Sequence, residues 1–141
     1  YEHLQIANNS INEVHFFGSK LTFKKLSAFE EITYLNKVYS FISNRHEGDI
    51  VYYPHRMDSI KKKEQIQSIG FKISELRLPA ELLYTKGSRP IAIYTTLTSV
   101  AFTFTKLGLK PTILVDHMLK RHTGLEYSKL LVVNLDSVDI N

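Results

Sequence analysis

The chain has 141 residues, 43% of them hydrophobic and 23% charged, with a net charge of +4 and no cysteine. That length suits about one domain and buries roughly two-thirds of its unfolded surface, so a packed core is expected. Disulfides and Cys-ligated zinc are excluded, and no run approaches the roughly 20 apolar residues of a membrane span. Tyr1 stands where a Met would, with no signal-peptide pattern after it, so a piece of something longer is expected.

Positive charges are scattered, apart from Lys61-Lys62-Lys63, which reads as the wet face of a short helix. No aromatic–basic alternation accompanies that run, so nucleic acid is not the expected partner. A mild positive balance suits a small anionic ligand.

Residues 1–11 are polar and Asn-rich and read as a linker, which leaves 12–141 as the domain. "NEVHFFG" is a short apolar run closed by glycine, a strand. Ser27 with Glu30 three residues on reads as a capping box. Behind it Phe29, Ile32, Leu35, Val38, Tyr39 and Ile42 recur at helical spacing, so an amphipathic helix runs towards Gly48. "DIVYYP" is the second strand. Ser59 opens a charged helix that Gly70 ends.

"FKISEL" is the third strand. "LPAELLYTKG" is expected to hold a helix, with Pro79 in its first turn and Gly87 at its end. "PIAIYTT" is the fourth strand, "LTSVAFTFTKLG" a short helix closed by Gly108, and "PTILVDH" the fifth strand. "HMLKRH" begins another helix, and "SKLLVVNL" (128–135) is the sixth strand. Several strands are apolar on both faces, as in a parallel sheet covered on both sides. Right-handed crossovers then give an α/β, Rossmann-like, doubly wound parallel sheet of about six strands.

In such a sheet the loops after the strands' carboxyl ends face the ligand edge. Pro54-His55-Arg56 follows the second strand, Leu78-Pro79-Ala80-Glu81 the third, and Thr98-Ser99 the fourth. An imidazole, a carboxylate and two adjacent hydroxyls suit a nucleotide. Hydroxyls hold phosphate, a carboxylate accepts ribose hydroxyls, and a histidine donates to a departing phosphate oxygen. Each also has a plainer reading: His55 as a loop histidine, Glu81 as a helix-dipole partner, and Thr98 or Ser99 as helix caps. No GxGxxG, GxxxxGK[ST], HExxH or GxSxG occurs. His117 and His122, five apart, fall on different faces of a helix.

"YYPHR", "PAELL" and "PIAIYTTLTSVAF" together resemble the bacterial sialyltransferases of the GT-B type, most of all the lipooligosaccharide sialyltransferase family (glycosyltransferase family 52). The resemblance covers roughly residues 12–115 and rests on the order and spacing of a His-Pro motif, a Glu and a hydroxyl pair. It implies the donor-binding C-terminal half of a GT-B enzyme that transfers sialic acid from CMP-sialic acid to a glycan hydroxyl, with inversion and without a metal cofactor. By that resemblance His55 lies at the donor phosphate and assists its departure, Glu81 binds the ribose, and Thr98 and Ser99 hold the phosphate. Arg56 joins the donor-nucleotide site, although it stands where the family has Pro. The family's acidic base has no convincing match. "FEE" (29–31) is acidic but reads as solvated helix charge, so the base is expected on a missing N-terminal domain. The resemblance also implies a cytoplasmic location, at the inner face of the bacterial membrane through the full-length enzyme. A UDP-sugar enzyme of the same type and a non-catalytic α/β interaction module remain open beside it.

Overall fold

The structure, a computed structural model, describes residues 6–7, 9–19, 26–85, 88–122 and 135–141. Among them are strands β1 (Ser10–Phe17), β2 (Asp49–Tyr53), β3 (Lys72–Ile73), β4 (Arg89–Thr95), β5 (Thr112–Val115) and β6 (Ser137–Asp139). They form one sheet in the order β3-β2-β1-β4-β5-β6, and every pairing is parallel. The order reverses between β1 and β4, and the crevice outside their carboxyl ends is where such sheets keep ligands.

Helices cover both faces. On one lie α1 (Ala28–Ser43) and α2 (Ile60–Ile69). Tyr34, Leu35, Val38 and Ile42 of α1 and Ile66 of α2 pack there on Val14, Phe16, Ile50 and Tyr52. On the other, α3 (Val100–Lys106) and residues 80–84 pack Phe104 and Tyr84 against Phe17 and Ile93. This is the doubly wound, Rossmann-like architecture expected from strands with no wet face. No helix among the described residues is long and apolar enough to cross a membrane.

Local chemistry sets the element ends. The capping box forms as the sequence predicts: the Glu30 amide donates to Ser27 Oγ at 3.1 Å and the Ser27 amide to Glu30 Oε1 at 2.9 Å. A cap of this kind is worth about 1 kcal/mol. Ser59 Oγ accepts from the Lys62 amide to start α2. Gly70 and Gly108 close α2 and α3 with φ of 132° and 85°, a region side chains rarely enter.

Four boundaries differ from expectation. β1 begins at Ser10, inside the predicted linker. The third strand is a two-residue ladder; after Ser74 donates to the Tyr52 carbonyl the chain leaves the sheet edge. The helix expected from Pro79 is one 3₁₀ turn, Ala80–Leu82, because the segment crosses the sheet face to seat Tyr84 between β1 and α3 instead of running along it. The sixth strand expected over 128–135 lies, apart from Leu135, outside the described residues; β6 follows at Ser137–Asp139.

Candidate functional site

The β2–α2 connection is a tight, self-bonded turn. The His55 amide donates to Asp58 Oδ2 at 2.9 Å, and the Asp58 amide donates back to the His55 carbonyl at 2.9 Å. The Met57 amide donates to His55 Nδ1 at 3.1 Å. A backbone N–H can only donate, so Nδ1 is the acceptor and the ring proton sits on Nε2. The imidazole is thereby fixed with its Nε2–H available to a ligand, which a loop histidine without partners would not be.

Asp58 is locked in turn. Its side chain is 0% exposed and its Oδ1 lies 2.7 Å from Lys62 Nζ, which also sits 3.0 Å from Glu31 Oε1. Lys62 was expected on a wet face and Glu31 as solvated charge, but their side chains are only 12% and 5% exposed. The N-terminal ends of α1 and α2 meet here, and each buried charge is held by an opposite one, the condition under which burial is tolerated.

His55 and Arg56 line a pocket of about 480 Å³, faced by Ser74, Arg77 and Pro79. Glu81 follows two residues after Pro79, in the 3₁₀ turn that packs on α3, and does not itself line this pocket. Thr98 and Ser99 lie at the start of α3. Ser99 is exposed and its side chain caps nothing, while Thr98 Oγ1 is 3.5 Å from the Val100 amide, a weak contact.

The five sequence-predicted residues therefore all lie on connections that leave the carboxyl edge. His55 and Arg56 share one pocket; Glu81 lies in the 3₁₀ turn that packs on α3, and Thr98 and Ser99 stand at the start of that helix. The segment 74–85 links the two groups, because its first half faces His55 and its second half packs on α3. β2 and β4 flank β1, so their ends are about 10 Å apart at ~4.8 Å per strand spacing. Among the described residues, Ser19 Oγ, just after β1, and Thr95 Oγ1, at the end of β4, are buried without a hydrogen-bond partner. Such groups are costly unless a polar molecule satisfies them.

Sequence reading passed over a second histidine. His15, in the middle of β1, is 4% exposed. Tyr84 Oη lies 2.6 Å from its Nδ1 and Glu13 Oε1 lies 2.9 Å from its Nε2. With Nε2–H donating to the carboxylate, Nδ1 accepts from the tyrosine hydroxyl. Burial holds its pKa below the ordinary histidine value, against the opposing pull of Glu13. Alternation alone puts Glu13 and His15 on one strand face, which was a legible hint; Tyr84, 69 positions away, was not. Arg77 was also missed, since it belongs to no motif.

Among the described residues no group of three or more His, Asp or Glu could hold a metal ion. No family model, curated protein or solved structure matches the chain.

Proposed function

We propose that the chain is the donor-binding half of a GT-B sialyltransferase that takes sialic acid from CMP-sialic acid to a glycan hydroxyl. The observation that carries the reading is the order His55, Glu81, Thr98-Ser99 on successive connections leaving the carboxyl edge of a parallel sheet. The pocket that His55, Arg56 and Arg77 line, with the ring proton of His55 on Nε2, supports a polar, phosphate-bearing ligand.

In the transfer, the acceptor oxygen forms a bond to the anomeric carbon of the sugar as the bond from that carbon to the CMP phosphate oxygen breaks. The electron pair leaves with CMP. His55 serves as a hydrogen-bond donor to the departing phosphate, through Nε2–H. Thr98 and Ser99 hold the phosphate, Arg56 adds charge, and Glu81 takes the ribose hydroxyls. The proton of the acceptor hydroxyl goes to a base that no motif of this chain supplies.

The test is transfer by the complete enzyme carrying His55→Ala, measured as initial rates with a labelled donor. A donor aimed at developing charge is worth about 10²–10³ in kcat, with little change in KM. A near-normal kcat would return His55 to a loop histidine.

A further inference from the structure

The pocket between the carboxyl ends of β2 and β3 has an uneven charge. Arg56 and Arg77 both line it and no carboxylate does. Neither guanidinium has an ion-pair partner among the described residues. Lys37, Lys62, Lys72 and Lys120, by contrast, each meet an aspartate within 3.2 Å. Lys63, Lys106 and Lys110 also have no ion pair among the described residues, so what marks the two arginines is that they share a cavity with His55. Here the chain leaves two forked donors facing one cavity, beside a histidine whose free donor is Nε2–H.

Arginine matches a carboxylate or phosphate with two parallel hydrogen bonds, and these charge-assisted bonds are among the strongest available. The rim carries Leu76 and Leu78, both more than half exposed, which lower the local polarity in which those bonds act. A cavity of about 480 Å³ lies within the usual range for small-ligand sites.

We infer that Arg56, Arg77 and the Nε2–H of His55 form an oxyanion-binding pocket, with Arg77 as an arm that lies outside the His–Glu–hydroxyl order. Its occupant is an oxyanion of the donor, either the phosphate or the carboxylate of an acidic sugar. That assignment of the occupant rests on the nucleotide-sugar reading; the anion pocket itself does not.

The test is calorimetry on wild type, Arg77→Met and Arg77→Lys with three probes: inorganic phosphate, CMP and CMP-sialic acid. Arg77→Met should weaken inorganic phosphate by about ten-fold or more, with Arg77→Lys intermediate. The melting temperature without ligand should stay unchanged, since the side chain is exposed and unpaired. Loss with CMP and CMP-sialic acid alike identifies the phosphate as occupant; loss with CMP-sialic acid alone identifies the carboxylate. Phosphate binding that needs Arg77, with no binding of either nucleotide, keeps the pocket and ends the nucleotide-sugar reading. Binding of all three probes that Arg77→Met leaves untouched overturns the pocket and leaves that reading standing.

Discussion

The Met57 amide and the imidazole of His55 are joined at 3.1 Å, and this contact decides which ring nitrogen can meet a ligand. The neutral ring is the Nε2–H tautomer. Imidazole nitrogen shifts in a ¹⁵N correlation spectrum should show Nδ1 unprotonated and Nε2 protonated for His55. Adding CMP should move the Nε2 signal most. A ring found as the Nδ1–H tautomer would break the donor role assigned to it.

Asp58 holds that turn from beneath. It accepts from the His55 amide and faces Lys62, and its side chain is fully buried. Asp58→Ala leaves an amide unpaired and Lys62 with Glu31 alone. We expect a loss of about 2–4 kcal/mol in stability by urea denaturation, short of the full cost of a broken buried pair. Asp58→Asn keeps an acceptor for the amide and should lose about half as much. An Asp58→Ala protein as stable as wild type would mean the turn is held by other contacts.

His15 makes stability depend on pH. Its folded pKa lies below the ordinary value, mainly because burial disfavours the charged ring. The unfolded chain therefore takes up a proton first as pH drops through about 6.5, and the unfolded state gains. Stability should be full above that value and fall on the acid side, by at most about 1.4 kcal/mol per pH unit for one proton. Urea midpoints at pH 7.5 and 5.5 should differ in this direction, and His15→Gln should shrink the difference. A slope identical in the two proteins would remove His15 as its source.

Much of the fold was legible because its signals are local. The near-continuous apolar run of β4 is mostly buried, Ile91 excepted, Ser27 and Glu30 spell a cap, and Gly70 and Gly108 close helices at positive φ. Lys62 and Glu31 were misread for the opposite reason. A charge run looks solvated from sequence, and only the crossing of α1 and α2 turns these two side chains towards each other. The segment 79–85 has helix-like spacing, yet Tyr84 is drawn to His15 and Phe104 across the sheet, which a straight helix cannot satisfy. His55, Glu81, Thr98 and Ser99 were legible as an ordered set on loop positions; that His55 shares its pocket with Arg77 depends on how 74–79 leaves the edge strand.

Nucleotide binding tests the central claim most directly. We propose that one nucleotide spans His55, Glu81 and Thr98-Ser99, a set that the resemblance matches to a cytidine monophosphate. Calorimetry of the chain with CMP and with UMP, each with and without chelator, should show CMP binding more tightly than UMP and unchanged by the chelator. Equal affinity for both nucleotides, loss of binding with chelator, or no binding of either would contradict the account.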